Sequence, residues 1–285
     1  MHIDLHTHSF FSDGEYSPEE IVNEALNKNI SILSITDHNF ILENESIKKY
    51  ARKNNIKFIE GIEISTLWRS SFFKTSLHIL GYGKKLNSTL LNKKLKNTVN
   101  EYNNRAHAII NKLNKEFPNL NLDLESLKGC TKEAYISRNT LARLLVEHLK
   151  NKISIRDALR QYVFVEENDS WMMSTEESFK LITAADGVPV LAHSGKLLRQ
   201  IGLKEYKEMI ADLVEKGLLG IEVYYPRHTS EEINALKKIA NEFNLYITGG
   251  SDWHGKSFTP GLQMGREFPM KDLSSFLSDK NINLI

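Results

Sequence analysis

The chain lacks the features that mark secreted and membrane proteins. It has one cysteine, Cys130, in 285 residues, which excludes an internal disulfide framework and fits a reducing compartment. The N-terminal segment has neither the basic region nor the long apolar region of a secretory signal. No apolar run approaches the roughly 18 residues that a membrane span needs. We therefore expect a cytoplasmic protein without membrane association.

The sequence also lacks an excess of either charge. Lysine and arginine number 37 and aspartate and glutamate 36, so the formal net charge is +1. Charge alone gives no reason to expect polyanion binding, and we expect no stable complex with nucleic acid. Repeats and low-complexity tracts are absent from the sequence. The length allows one α/β barrel or two smaller domains.

Short apolar runs alternate with helical segments over much of the chain. One helix is predicted to begin after Ser17, with Pro18 in its first turn and Glu20 completing a capping box. The following run, "ISILSITDHN", is nearly continuously apolar, as in a parallel strand covered by helices. About seven such units predict an α/β fold with a closed or nearly closed barrel. Functional residues then lie at the C-terminal ends of its strands.

This alternation is interrupted in the middle of the chain. The segment "LLNKKLKNTVNEYNNRAHAIINKLNKEF" has the pattern of a long amphipathic helix, and "RNTLARLLVEHL" and "IRDALRQYV" predict two more helices. We therefore predict one domain formed by residues 1–85 and 166–285, and a helical insertion domain at 86–165. The insertion is expected to lie over the functional end of the barrel.

The opening stretch "MHIDLHTHSFFSDG" is rich in histidine and aspartate. His6 and His8 lie two apart on a predicted strand, so their side chains share one face about 7 Å apart. Asp13 follows in a turn where Gly14 lets the chain reverse tightly. Buried imidazoles and carboxylates are costly unless they find partners, and a metal ion would be such a partner.

Further residues of the types that bind metals follow other predicted strands. They lie in "TDHN", "EGIEIS", "HILGYG", "LAHSG" and "GSDWHG". Nine nitrogen and oxygen ligands exceed the needs of one ion, so two or three ions bridged by a carboxylate are implied. Imidazole and carboxylate without thiolate favour Mn, Fe or Zn. The nine candidates are His6, His8, Asp13, His38, Glu63, His78, His193, Asp252 and His254.

In order and spacing, these motifs resemble those of the PHP (polymerase and histidinol phosphatase) family. The segment "SRNTLARLL" resembles the branch of nucleoside 3′,5′-bisphosphate phosphatases and 5′→3′ oligoribonucleases of the ribonuclease AM type. The resemblance implies a distorted (β/α)7 TIM-like barrel with a helical insertion lobe. It also implies a trinuclear metal centre and a phosphoric ester hydrolase.

The resemblance further implies how the ligands divide among three metal positions. The first position takes His6, His8, Glu63 and Asp252; the second takes Glu63 as a bridge, His78 and His193; the third takes Asp13, His38 and His254. Such a centre lowers the pKa of a bridging water, and the resulting hydroxide attacks phosphorus in line. We assign catalytic roles to Glu63, His193 and His254, with His193 or His228 as a candidate proton donor.

Phosphate binding calls for cationic side chains beyond the metals. Arg138, near the start of an insertion helix, is the first candidate because a guanidinium group matches phosphate geometry. We assign it a catalytic and a substrate-binding role. Lys196, Arg227 and His228 follow later strands and are further candidates for substrate binding.

Aromatic residues after Glu63 offer a second kind of substrate contact. Trp68 and the pair Phe72 and Phe73 lie in the segment that follows it. They either stack a nucleobase or pack in the core.

One departure leaves the substrate open. The branch usually has Pro-His after the insertion arginine, where this chain has Asn139 and Thr140, so one expected substrate contact is missing. The leading interpretation is a metal-dependent phosphoesterase acting on nucleotides or short 5′-phosphorylated RNA. The alternatives are a phosphatase for another small metabolite, such as histidinol phosphate, and a non-catalytic accessory or binding module. The complete ligand set disfavours the last.

Overall fold

The strands of the protein form two separate sheets. The computed structural model describes residues 1–43, 45–70, 74–165 and 169–282. The strands in chain order are β1 (His2–Asp4), β2 (Ile30–Leu33), β3 (Lys57–Phe58), β4 (Gly61–Arg69), β5 (Lys74–Tyr82), β6 (Val188–Leu191), β7 (Gly220–Tyr224), β8 (Tyr246–Gly249) and β9 (Arg266–Glu267).

Neither sheet is closed within the described residues. The first has the order β3-β2-β1-β9 and the second the order β4-β5-β6-β7-β8. Pairing is parallel among β1, β2 and β3 and among β6, β7 and β8, but antiparallel for β4–β5, β5–β6 and β1–β9. The α/β class is confirmed, but both sheets are mixed and a TIM-like barrel is not confirmed by them. β4 and β5 follow each other without a crossover helix, and directly connected strands pair antiparallel.

The two sheets meet at both edges of the five-stranded sheet. Isolated parallel bridges join Thr7, after β1, to Trp253, after β8, and His38, after β2, to Glu63 in β4. Close packing after β8 requires glycine: a Cβ atom on Gly250 would lie 2.3 Å from the Cβ of His6. The segments that follow β1, β2 and β8 therefore converge on the beginning of β4.

Helices cover the sheets and build the insertion. The predicted capping box is confirmed, because the Ser17 side chain accepts from the Glu20 backbone and the Glu20 carboxylate from the Ser17 backbone. Sequence analysis missed α4, α8 and α11. The helices in chain order are α1 (Pro18–Asn27), α2 (Glu45–Lys53), α3 (Thr89–Glu116), α4 (Leu124–Cys130), α5 (Arg138–His148), α6 (Ile155–Gln161), α7 (Thr175–Ala184), α8 (Gly195–Ile201), α9 (Leu203–Glu215), α10 (Ser230–Glu242) and α11 (Met270–Leu277).

Helices α3 to α6 share a hydrophobic cluster of their own. All of its residues fall in the segment that interrupts the strand pattern, which supports the predicted insertion at 86–165. Its buried members are Ala106, Ile109, Ile110, Leu113, Ile136, Leu141, Ala142, Leu145, Ala158 and Val163.

In the part of the chain that the structure describes, no helix combines the length and the apolar character required to cross a bilayer.

Truncating the insertion core should destabilise the protein. Leu113 is fully buried, and we expect Leu113→Ala to lower the free energy of unfolding by about 2–5 kcal/mol because it leaves a cavity. Leu90, on the same helix, is 60% exposed. Leu90→Ala should therefore change the free energy of unfolding by less than about 0.5 kcal/mol. Urea unfolding followed by circular dichroism measures both. Equal effects would contradict a packed insertion core.

Candidate metal centre

The first two histidines of the site lie just beyond a strand. The sequence pattern predicted both His6 and His8 on the strand, but β1 ends at Asp4 and they follow it. The bridge at Thr7 keeps this segment extended, and both flanking imidazoles point to the same side. Both histidines are fully buried, with ring centroids 5.2 Å apart.

Two buried aspartates fix the backbone around these histidines. Asp4 accepts hydrogen bonds from the Ser251 backbone and hydroxyl, at 2.8 and 2.6 Å, and so ties β1 to the segment after β8. Asp37 accepts from the hydroxyls of Ser9 and Ser12, at 2.6 and 2.7 Å. Sequence analysis did not assign these carboxylates a role, although both lie inside the motifs that it singled out.

Glu63 is the centre of the cluster. Its carboxylate is fully buried on β4, near the start of that strand rather than at its end. Five imidazole nitrogens lie within 3.2 Å of its two oxygens. They are His6 Nε2, His8 Nε2 and His38 Nδ1, at 3.2, 3.2 and 3.1 Å from Oε2, and His78 Nδ1 and His193 Nε2, at 3.0 and 3.1 Å from Oε1.

Asp13 and Asp252 extend the cluster away from Glu63. Asp13 Oδ1 lies 3.1 Å from His254 Nε2 and 3.8 Å from His38 Nε2. Asp252 Oδ1 lies 3.3 Å from His8 Nε2 and 3.7 Å from His254 Nδ1. The structure thus brings all nine predicted ligands together, although His78 lies in the middle of β5 and not at a strand end.

Three groups of these residues each place their ligand atoms within 4.8 Å of one another. The first coincides with the first set that the family resemblance implied. His8 joins the third set, and His38 rather than His193 is grouped with Glu63 and His78. The groups are His6, His8, Glu63 and Asp252; His38, Glu63 and His78; and His8, Asp13, His38 and His254.

Unsatisfied buried atoms show that the cluster fits cations. Within the described residues, these atoms make no hydrogen bond: His6 Nε2, His8 Nε2, Asp13 Oδ1, His38 Nδ1 and Glu63 Oε2. A buried polar atom without a partner costs roughly 1–3 kcal/mol. Ligands bound about 2.1 Å from one metal lie roughly 3.0–3.4 Å apart, which resembles the spacing around Glu63. Divalent cations would therefore satisfy these atoms.

Outer hydrogen bonds set which imidazole nitrogen faces the cluster. His6 Nδ1 lies 3.0 Å from Glu222 Oε1, which directs Nε2 toward Glu63. His254 Nδ1 donates to the Asp252 carbonyl oxygen at 2.8 Å, leaving Nε2 directed at Asp13. A carboxylate or carbonyl behind a histidine is the usual support of a metal-binding imidazole. Sequence analysis missed Glu222, whose signal was a single carboxylate in the apolar strand "GIEVY".

The site carboxylates are held in their charged form. Burial by itself raises the pKa of a carboxyl group, but the imidazole of His6 at Glu63 and that of His254 at Asp13 contribute more in the opposite direction, together with the other imidazoles around each carboxylate. The pKa of Glu63 and that of Asp13 both lie well below their ordinary values. Both side chains are therefore anionic at neutral pH, as metal ligands must be.

The imidazoles divide into charged and neutral ones. Burial lowers the pKa of His8, but the carboxylates of Asp252 and Glu63 outweigh it and raise that pKa to about 10. At His38 burial prevails and lowers the pKa to about 3. In the metal-free protein a proton on His8 balances the carboxylates, so cation binding must displace protons.

The predicted phosphate ligand Arg138 has structural partners. Its Nε and Nη2 donate to the carbonyl oxygens of Val163 and Leu159, both at 2.7 Å. These bonds fasten the start of α5 to the end of α6. Arg138 also lines a cavity beside Asp13, so its phosphate-binding role stays a prediction.

Both ring nitrogens of His228 have backbone partners. Its Nδ1 donates to the Val223 carbonyl oxygen at 2.9 Å, and its Nε2 accepts from the Gly195 backbone at 2.9 Å. The second bond holds the turn that carries His193. The roles of His228 in substrate binding and proton donation stay predictions.

The remaining predicted substrate contacts lie at different places. Lys196 is exposed and lines the same cavity as His78. Arg227 is exposed, near Tyr225, whose hydroxyl donates to Asp252 Oδ2 at 3.2 Å.

Trp68 packs in the core instead of facing a substrate. It is 6% exposed, and its Nε1 donates to Asp212 Oδ2 at 2.8 Å. Phe72 and Phe73 lie outside the described residues.

A cavity of about 480 Å³ opens on the cluster. Asp13, His38 and His78 form one wall, and the insertion forms the other. The tyrosines of the insertion wall, Tyr102 and Tyr135, stack on each other with ring centroids 4.5 Å apart. Residues of α3 and α5 and of the segment between them therefore border the cavity beside the cluster.

Comparison with known proteins identifies the family. The PHP domain matches residues 4–215. This chain belongs to the PHP domain family. It is 27% identical over 271 residues to the 5′-3′ exoribonuclease Rnm of Escherichia coli K12, covering 93% of this chain and 88% of that protein. It is 28% identical over 264 residues to the 3′,5′-nucleoside bisphosphate phosphatase of Chromobacterium violaceum, covering 88% of this chain and 87% of that protein.

A solved structure has a similar fold. A Bifidobacterium adolescentis protein assigned as a metal-dependent phosphoesterase superposes with a TM-score of 0.78 at 25% identity, covering 96% of this chain and 94% of that chain. The predicted family and its phosphatase and exoribonuclease branch are confirmed by these relatives.

Removing the central charge should empty part of the PHP centre. In Glu63→Gln the carboxylate that faces five imidazoles becomes neutral, and neighbouring cations then repel each other more strongly. We expect the loss of at least one bound ion, measured by elemental analysis after reconstitution with Mn²⁺. Glu60→Gln, which removes a carboxylate three residues away, should keep the wild-type metal content. Equal metal content in Glu63→Gln and the wild type would contradict a bridging role.

Proposed function

We propose that this protein is a metal-dependent phosphoesterase that hydrolyses phosphate esters of nucleotides or of short 5′-phosphorylated RNA. The observation that carries the proposal is the buried Glu63 carboxylate, which five imidazoles surround beside a cavity of about 480 Å³. The names of the Escherichia coli and Chromobacterium violaceum relatives describe this chemistry. A cluster of this completeness argues against a binding module without activity.

The nine clustered residues would hold two or three divalent ions of Mn, Fe or Zn. Such ions, when bound, would lower the pKa of a bound water molecule and neutralise negative charge on phosphoryl oxygens. Glu63 and Asp252 contribute negative charge from the buried interior. Glu222 orients two of the candidate ligands, since it holds the His6 ring and accepts a hydrogen bond from the His193 backbone at 2.6 Å. We propose that Glu63, His193 and His254 act in catalysis.

Substrate binding would use the space between the cluster and the insertion. A cavity of about 480 Å³ falls in the usual range for small-molecule sites, roughly 300–1,000 Å³. Its wall combines the rings of Tyr102 and Tyr135 with the apolar side chains of Ile109 and Leu141. An aromatic and apolar wall facing a polar cluster suits a nucleoside phosphate better than a small aliphatic phosphate.

Lys196 would attract the phosphate. It lines the cavity beside the insertion and also a second cavity, of about 260 Å³, that contains His193. His78 lines both cavities too, so Lys196 borders the same two spaces as this candidate ligand. A flexible ammonium group at this place can follow a phosphate on either side of the ligands.

Other parts of the prediction remain proposals. The bridges Thr7–Trp253 and His38–Glu63 support the view that the two sheets together correspond to a distorted (β/α)7 barrel. The insertion domain boundaries, the cytoplasmic location and the absence of a stable nucleic-acid complex stay predictions.

A substrate panel tests the proposed activity. Protein reconstituted with Mn²⁺ should release phosphate or mononucleotide from a nucleoside 3′,5′-bisphosphate and from a 5′-phosphorylated oligoribonucleotide. Chelation should abolish turnover, and added Mn²⁺ should restore it. AMP and histidinol phosphate complete the panel. Preferential hydrolysis of histidinol phosphate would favour the alternative of a metabolite phosphatase. If metal-loaded protein turned over none of these substrates, the proposed enzymatic activity would be refuted.

Replacing Lys196 should weaken substrate binding without unfolding the protein. Lys196 is exposed, so Lys196→Ala should leave the melting temperature unchanged. We expect KM to rise about tenfold, equivalent to about 1.4 kcal/mol, with kcat within about a factor of three. Lys204→Ala removes a lysine whose side chain is 83% exposed and should leave both constants unchanged. An unchanged KM in Lys196→Ala would show that Lys196 does not contribute to substrate binding.

A further inference from the structure

The first two turns of α5 lie against one ligand of the cluster. Asn139 Nδ2 donates to Asp13 Oδ2 at 2.6 Å. One turn later, Arg143 Nη2 donates to the Asp13 carbonyl oxygen at 3.2 Å. Residues four apart share one face of a helix, so α5 holds both the side chain and the backbone of Asp13.

The contact with Asn139 gives the two carboxylate oxygens of Asp13 different surroundings. Oδ2 accepts from the Asn139 amide, while Oδ1 lies 3.1 Å from His254 Nε2 and 3.8 Å from His38 Nε2. Within the described residues Oδ1 makes no hydrogen bond, and the Asp13 side chain is 4% exposed. Asn139 thereby selects which oxygen faces the two imidazoles.

The backbone at Asp13 is held in one conformation. The orientation of the Asp13 carboxylate therefore depends on contacts of the side chain itself. The next residue must be glycine, because a Cβ atom on Gly14 would lie 2.2 Å from the His8 carbonyl oxygen. Another part of the insertion also reaches this loop, since the Ala134 backbone donates to the Phe11 carbonyl oxygen at 2.7 Å.

The helix that carries Asn139 is itself fixed in two ways. The Ser137 side chain caps α5 by accepting from the Thr140 backbone at 3.0 Å. The Arg143 guanidinium lies over the Phe258 ring, 3.4 Å from its centroid, and so reaches the segment after His254. Asn139 is therefore presented to Asp13 by a rigid element.

We infer that Asn139 is a positioning residue that controls cation binding at the group formed by His8, Asp13, His38 and His254. The insertion would then complete one metal position as well as cover the cavity. At this position the phosphatase and exoribonuclease branch is expected to carry the proline of its Pro-His pair, which has no side-chain donor, whereas here the Asn139 side chain holds a metal ligand. The inference rests on the metal centre of the proposed function, but not on which ester is cleaved.

Metal titration tests this role without an activity assay. We expect Asn139→Ala to weaken the binding of one ion by about 10–100-fold, as loss of a residue that supports a ligand does, while the affinity for the other ions stays unchanged. Calorimetric titration of metal-free protein with Mn²⁺ gives the affinities, and elemental analysis at limiting Mn²⁺ gives the stoichiometry. Asn104→Ala is the matched control, since Asn104 is an exposed asparagine of α3 that donates to Glu101.

A second variant separates positioning from packing. Asn139→Gln keeps the amide donor. We therefore expect its affinity for the weakened ion to lie between that of Asn139→Ala and that of the wild type. Wild-type affinity and stoichiometry in Asn139→Ala would overturn the inference. Equal weakening of every ion, together with a lower melting temperature of the metal-free protein, would also overturn it, because that pattern indicates general destabilisation. Selective loss of one ion in a protein that hydrolyses no phosphate ester would sustain the inference and refute the proposed activity.

Discussion

The buried carboxylate of Glu63 is the constraint on which the rest of the site depends. Removing an ion from water costs several kcal/mol unless charges and donors surround it. Glu63 is fully buried, and five imidazoles from four different chain segments face it. The meeting of the two sheets, the glycine at position 250 and the bonds of Asp4 and Asp37 all serve to bring those segments together.

The insertion is part of the site and not only a cover. Its helices have their own hydrophobic cluster, and α3 also packs in the main core through Leu91 and Leu95. Other contacts reach Asp13, the loop before it and the segment after His254. The same helices form the far wall of the cavity. Ligand orientation and the shape of the substrate space therefore depend on one element.

The sequence does not encode directly which partners a side chain finds. Arg138 was predicted to bind phosphate from its residue type, but two of its donors hold carbonyl oxygens at the end of α6. Trp68 was a candidate for base stacking, but it lies in the core with a bond to Asp212. Tyr102 and Tyr135, which line the cavity, gave no signal, because tyrosines in helical and loop segments are common in cores.

By itself the sequence determined which residues form the cluster, the α/β class and the start of the first helix. Imidazole and carboxylate side chains are costly to bury, so their recurrence next to apolar runs is informative without coordinates. Only the tertiary structure decided the antiparallel pairing of β4 and β5, the grouping of His38 with Glu63 and His78, and the support that Glu222 and Asn139 give to ligands. These features are distances of a few ångströms between segments that lie far apart along the chain, and no local pattern specifies them.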